Sequence, residues 1–293
     1  MHCLAAQHSA LEQIQARVGT FWSRSPLNHL ANDTDERAWD EPLFGVAAGN
    51  DPLFAKIKAD IGPFYWLPEE AFALAFPQAP ATADELSVLV WILPQTAATR
   101  ADQKLATDFP AERWARSRDF GEKFNLALRR HLAETLTAAG HPSVAPELLP
   151  QFSRQTSERF GIASNWSERH TAHIAGLGTF GLSDGLITAR GKAVRIGSLI
   201  TRQRLPATPR TYTGHTDWCL WYAQGICGVC MRRCPVRTIT PSGHDKNACF
   251  RYIRDVTTPY VQKTFGTDFT PCGLCQVDIP CEDRNPVVRR KSG

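Results

Sequence analysis

Eight of the nine cysteines fall between Cys219 and Cys281 of a 293-residue chain, and only Cys3 lies outside that window. Thiols used as small core hydrophobes scatter along a sequence; thiols drawn into one short window point to metal or redox chemistry. The window reads Cys227-x2-Cys230-x3-Cys234-Pro235, then Cys249, then Cys272-x2-Cys275-x5-Cys281, with Cys219 just upstream. The N-terminal stretch MHCLAAQHSALEQIQARVG lacks a basic segment followed by an apolar one, so no signal peptide is expected, and no apolar run approaches the ~18 residues of a membrane span. The expected compartment is cytoplasmic, where thiols stay reduced and are available to hold metal.

The first group matches the latter part of the bacterial ferredoxin run C-x2-C-x2-C-x3-C-P. A tight loop with this spacing brings successive thiolates to different corners of one iron–sulfur cube. The extra residue and the proline turn the last cysteine toward a neighbouring cluster. The run's first cysteine would stand at Gln224, and Cys219 is the nearby replacement. Eight thiols then divide into two sets. Cys219, Cys227, Cys230 and Cys281 are expected on one [4Fe-4S] cluster, and Cys234, Cys249, Cys272 and Cys275 on the other. This crossed wiring means that neither half of the module folds well alone. The alternative is a four-thiolate zinc site built from the two CxxC pairs. Zinc would leave four thiols idle, and the Cys-Pro ending is foreign to zinc ribbons.

Upstream, Leu11–Val18 reads as helix, as do DPLFAKIKADIG and LPEEAFALAF. LSVLVWIL, residues 86–93, is a continuous β-branched apolar run and is expected to be a buried central strand. A helix from about Phe120 to Ala139 places Phe124, Leu128, Leu132 and Leu136 on one stripe, with Arg129 and Arg130 outward. Ser164 or Asn165 is expected to cap a helix running through Ala175. GLIT (185–188) and AVRIGSLIT (193–201) suit a pair of strands joined by the turn ARGK. The polar, proline-rich stretch TRQRLPATPRTYTGHTD marks a boundary before the cysteine module. The expected organisation is a helical and irregular segment over 1–84 that belongs to the core domain, an α/β core over 85–210 and a cysteine module over 211–293.

GLGTFG, from Gly176 to Gly181, has the form G-x-G-x-x-G. A dinucleotide fingerprint needs a strand before it, a helix after it and an acid about 20 residues on. Here the preceding segment reads helical and IGSLITRQ holds no acid, so that reading is set aside.

The order AGLGTFG, GLIT, IGSLIT, CGVCMRRCP, CFRYIRD and CGLCQVDIPCEDRNP resembles the epoxyqueuosine reductases and their relatives, the corrinoid reductive dehalogenases. The resemblance covers roughly residues 85–286 and is strongest in the cysteine module. It implies an α/β (α+β) fold with a nitroreductase-like, cobalamin-binding core and a C-terminal two-cluster ferredoxin-like module. The implied activity is reduction of a small molecule such as an epoxide or organohalide, with electrons passing through two [4Fe-4S] clusters to cobalamin. By the same match, Gly176, Gly178, Thr179, Phe180, Gly181 and Ser183 are corrin-contact candidates; the alternative for the loop is a turn that needs positive φ.

The sequence departs from the epoxyqueuosine pattern twice. That family sets a proton-donating aspartate ahead of a Glu–Lys pair. Glu168-Arg169 match the pair, but the aspartate's place is taken by Ile162. Glu158, Asp184, Tyr65 and Tyr212 are the substitutes considered. The tRNA-binding helical-repeat extension is also missing, and the net charge is only +4, so a tRNA substrate is not expected. His170 and His173 could pair on a metal, but without nearby acids or thiols they read as packing residues. Trp218, Trp221 and Tyr222 either shield the first cluster or belong to the core.

The implied partners are a small-molecule substrate and an external low-potential electron donor, with no membrane. Two other readings stay open: a ferredoxin-type electron carrier that donates to a partner, and a flavin-containing reductase on the same architecture.

Overall fold

The computed structural model describes residues 2–268 and 272–287. A helix α1 (His2–Arg24) leads to strand β1 (Leu43–Ala48), helices α2 (Pro52–Ile61) and α3 (Pro68–Ala75), and strand β2 (Ser87–Pro94). Helices α4 (Ala97–Leu105) and α5 (Glu112–Ala138) follow, then strands β3 (Ser143–Val144), β4 (Arg154–Ser157) and β5 (Gly161–Ser164) and helix α6 (Glu168–Ile174). Strands β6 (Gly178–Phe180), β7 (Leu186–Thr188) and β8 (Val194–Thr201) complete this part.

Every residue of β2 is buried. It lies between β1 and β8 in an antiparallel sheet of order β1-β2-β8-β3. Because strand side chains alternate between faces, Val88, Val90 and Ile92 pack against α2, α3 and α6 through Phe54, Ile57, Phe72 and Ile174. Leu89, Trp91 and Leu93 pack on the other side, against Ile14 and Val18 of α1 and the stripe Phe124, Leu128, Leu132 and Leu136 of α5. A continuous apolar run is therefore what a strand sandwiched between two helical layers requires. Leu128 is fully buried in that stripe. Leu128→Ala is expected to lower unfolding stability by about 2–5 kcal/mol, measurable by urea denaturation; a change below ~0.5 kcal/mol would contradict this packing.

Four local expectations change. Helices α1 and α5 extend beyond the apolar windows that revealed them, because a solvent-facing helical turn needs no apolar residue. The helix cap falls at Ser167 and not at Ser164 or Asn165: α6 starts at Glu168, and Ser164 ends β5, which pairs with β4. GLIT and the long strand do not form a hairpin: β7 pairs with β6, while β8 pairs with β2 and β3. Arg129 does not point outward. It is fully buried and held by Glu122 at 3.3 Å, Glu147 at 2.8 Å and Glu168 at 3.2 Å. A guanidinium tolerates such burial only when carboxylates surround it.

The cysteine-rich end carries short helices α7 (Leu220–Gln224), α8 (Val229–Arg233), α9 (Lys246–Tyr252) and α10 (Thr258–Phe265), with a small hairpin of β9 (Ile239–Thr240) and β10 (Gly243–His244). It is fastened to the rest of the chain. Arg233 donates to the carbonyls of Gln103 at 3.2 Å and Ala106 at 3.1 Å. Gln103 donates to the Cys272 carbonyl at 2.9 Å. Arg100 and Lys104 of α4 reach Glu282 at 3.3 and 3.1 Å. Among the described residues, no helix is long and apolar enough to cross a membrane.

Candidate active site

The eight clustered thiols sort into two groups in space. Cys219, Cys227, Cys230 and Cys281 line one small pocket, together with Gly181, Trp221 and Lys192. Cys234, Cys249, Cys272 and Cys275 line one wall of a larger cavity of about 400 Å3. Short elements deliver them: Cys219 precedes α7, Cys230 lies in α8, Cys234 ends α8 and Cys249 lies in α9. Gln224 is exposed at the end of α7, and Cys219 joins the first group in its stead. Cys227 adopts φ 97°, a left-handed conformation that a non-glycine residue rarely accepts. Gly273, between Cys272 and Cys275, has φ 71°, and a Cβ there would stand 2.1 Å from the Trp114 ring. Only glycine lets this loop turn while closing on the indole.

Burial pushes the Cys249 and Cys281 thiols up to about 12. Such groups make poor free nucleophiles, and a metal centre is what can hold them as thiolates. The Cys234 sulfur accepts from the Thr238 backbone N–H at 3.3 Å and lies 3.2 Å from its hydroxyl. A tetrahedral zinc needs four thiolates within about 2.3 Å of one point. Among the described residues, no three or more histidine, cysteine or acidic side chains gather tightly enough to hold a single ion. A four-iron cube spreads its thiolates over separate corners.

Lys192 lines both pockets and is 3% exposed. Its ammonium donates to Ser183 Oγ and lies 3.4 Å from the Cys275 carbonyl. Burial alone would lower its pKa, but the thiols Cys275, Cys281, Cys230 and Cys219 raise it above the ordinary lysine value. A cation therefore stands between the two cysteine groups.

Across the larger cavity, α6 presents Glu168. It is half-buried, its side chain 10% exposed, with one oxygen 3.2 Å from Arg129 and the other, Oε2, without a hydrogen-bond partner among the described residues. Burial raises its carboxyl to about 7, Arg129 opposing the shift and Glu147 adding to it. A carboxylic acid poised there can hand over a proton near neutral pH.

The four acids considered from sequence do not line this cavity. Glu158 is exposed on a turn. Asp184 is paired with His244 at 3.2 Å and Lys246 at 4.0 Å. Tyr65 is sealed in the core against Trp166, and the Tyr212 hydroxyl donates to the His173 carbonyl. Of the glycine-loop residues, Ser183 lines the large cavity and Gly181 the small one. Gly176 turns at φ 78° against Thr208 and Pro209, and Gly178 lets β6 close on β7, where a Cβ would meet the Ile187 carbonyl at 2.2 Å. Thr179 Oγ1 accepts from the Trp218 N–H at 2.9 Å, and Phe180 packs on His170 and His173. The loop is preceded by α6 and continues as a strand, so the dinucleotide geometry is absent.

The two histidines are structural. His170 Nδ1 meets Ser167 Oγ at 2.8 Å, and His173 Nδ1 donates to the Gly178 carbonyl at 2.8 Å. Burial, then the neighbouring Arg169, pushes His170 down to about 3, so it stays neutral. Trp221 lines the first cysteine pocket, and Tyr222 is exposed beside it.

No protein-family model matches the chain and no curated protein matches it. Solved structures do share its fold. A catabolic reductive dehalogenase superposes with a TM-score of 0.50 at 16% identity, covering 84% of this chain and 30% of that one. The same coverage, score and identity hold for that enzyme in complex with 3-bromo-4-hydroxybenzoic acid. An epoxyqueuosine reductase from Bacillus subtilis, solved with its catalytic loop swung out of the active site, gives 0.50 at 14% identity, covering 96% of this chain and 67% of that one. The chain thus spans under a third of the dehalogenase's length. Its fold is a mixed α and β one shared with both groups of reductases, the two that its motifs resemble.

Proposed function

We propose that the chain is an iron–sulfur reductase of a small molecule, with a nitroreductase-like core and a ferredoxin-like two-cluster module. One observation carries this reading: the thiols Cys234, Cys249, Cys272 and Cys275 and the acid Glu168 line the same cavity. Reduction consumes electrons and protons, and these two walls can supply one each. Cys219, Cys227, Cys230 and Cys281 would hold the first [4Fe-4S] cluster, and the other four thiols the second. Electrons would enter from an external donor and pass from the first cluster to the second. Lys192, between them, favours the reduced, more negative state of both. Lys192→Met is expected to lower both midpoint potentials by on the order of 100 mV, the scale of a unit charge over several ångströms. An EPR-monitored titration reads this, and unchanged potentials would contradict it.

The polar lining of the cavity is what favours a corrinoid there. Gln95 Oε1, Trp114 Nε1 and His244 Nε2 are buried without partners, and all three residues line it. Unpaired donors and acceptors of this kind suit a cofactor fringed with amides. Those residues and Ser183 would hold it, and when bound it would supply a low-potential cobalt centre able to attack an epoxide or a carbon–halogen bond. The protein's own task is to exclude water with Trp114, Trp166 and Ile196 and to keep a proton on Glu168. Anaerobic purification with cobalamin supplied during expression is expected to retain about one cobalt per chain. Flavin fluorescence released on heating would overturn the corrinoid assignment, and iron and sulfide alone would favour an electron carrier.

A further inference from the structure

Leaving the thiols aside, the charged side chains that line the large cavity are not all paired with one another. Its two carboxyl groups, Glu147 and Glu168, both contact Arg129. Arg195 is paired with Glu122. Two other arginines that line the cavity have no such partner. Among the described residues, no carboxylate lies within ion-pair distance of Arg118 or Arg169. Arg169 donates only to the Asp184 carbonyl, at 2.5 Å. Arg118 makes no hydrogen bond at Nε and is 9% exposed. Burial, with repulsion from Arg195, lowers its pKa to about 9, against the pull of Glu122 and Glu147 from beyond ion-pair distance. A guanidinium brought this far inside without a carboxylate in direct contact costs stability. Such a group persists where a ligand completes it, and the planar fork of arginine suits carboxylate and phosphate.

We propose that Arg118, supported by Arg169 and Arg195, binds an oxyanion, so that the substrate reduced in this cavity carries a carboxylate or phosphate group. The anion would sit on the arginine wall and hold the reducible group between Glu168 and the second set of thiols. The assignment of the anion to the substrate rests on the reductase reading, whereas the anion site itself stands on Arg118 alone.

The test uses the cluster-loaded full chain titrated with benzoate and with inorganic phosphate, followed by calorimetry and by melting temperature. Wild-type protein is expected to bind at least one of them saturably and to gain Tm with concentration. Arg118→Gln is expected to lose at least tenfold in affinity while its anion-free Tm equals or exceeds that of wild type, since a buried unpaired charge has been removed. No saturable binding by wild type, or equal binding by the variant, would overturn the proposal. Should Arg118→Gln fail to fold, Arg118→Lys carries the test: it keeps the charge without the fork, and unweakened binding would count against the site. A parallel titration separates the two sources of oxyanion. Binding that persists with cobalamin present assigns the anion to a substrate. Displacement by cobalamin but not by cobinamide, which lacks the nucleotide phosphate, would overturn that assignment in favour of the cofactor's own tail. Colour and EPR report the clusters independently, so a failure of the anion site is distinguishable from a failure of the reductase reading.

Discussion

Cys272→Ser should halve the iron and sulfide of the anaerobically prepared protein, from about eight to about four of each per chain, and abolish reduction. Cys272 is 9% exposed and sits on the wall of the large cavity with Cys234, Cys249 and Cys275. Burial holds its thiol far above the ordinary cysteine range, so without iron it stays a neutral, unreactive group. The first set of thiols does not include it, and a variant carrying one remaining cluster should still be brown. Activity should nevertheless vanish, because the variant would lack the cluster proposed to face the large cavity. Iron analysis and turnover with a chemical reductant check both halves of this expectation. Full iron content in the variant would show that Cys272 is not a ligand.

Glu168→Gln is expected to reduce turnover by about 10²–10⁴-fold, the range for a lost general acid, while leaving the cluster spectra unchanged. The wild-type rate should be highest below pH 7 and decline above it, because the proton Glu168 must donate is lost as pH rises through about 7. The same shift has a sign for stability. Between the ordinary glutamate value of 4.5 and about 7, the native chain keeps a proton that the unfolded chain has released. Stability therefore falls as pH rises through that interval and levels off above it. Glutamine cannot ionise, so the variant should lose both the decline in rate and this decline in stability. A pH–rate profile on each protein decides, and an unchanged alkaline limb in Glu168→Gln would assign the proton to another group.

What could be read in the sequence was what local spacing encodes. The two CxxC pairs, the Cys-Pro ending and the apolar run of β2 each fix their meaning within a few residues. The stripe of α5 was legible for the same reason. The proposed proton donor was not. Glu168 differs from any surface glutamate only because Glu147 and Arg129, 21 and 39 residues earlier in the chain, close over it. Lys192 was hidden in ARGK, which reads as a hairpin turn; its partners Cys275 and Cys281 lie more than 80 residues away, and β7 pairs with β6 instead. Arg129 occupies a polar position on an amphipathic helix, and only the assembled fold surrounds it with three carboxylates. The glycines of GLGTFG were visible as a motif, but the same pattern serves close strand packing in β6 as readily as a cofactor.

The metal content of the oxygen-free protein decides between iron–sulfur and zinc. A brown chain is expected, with about eight iron and eight sulfide, and with low-temperature EPR signals of two interacting [4Fe-4S]⁺ centres after reduction. A colourless preparation holding zinc, without inorganic sulfide, would contradict it.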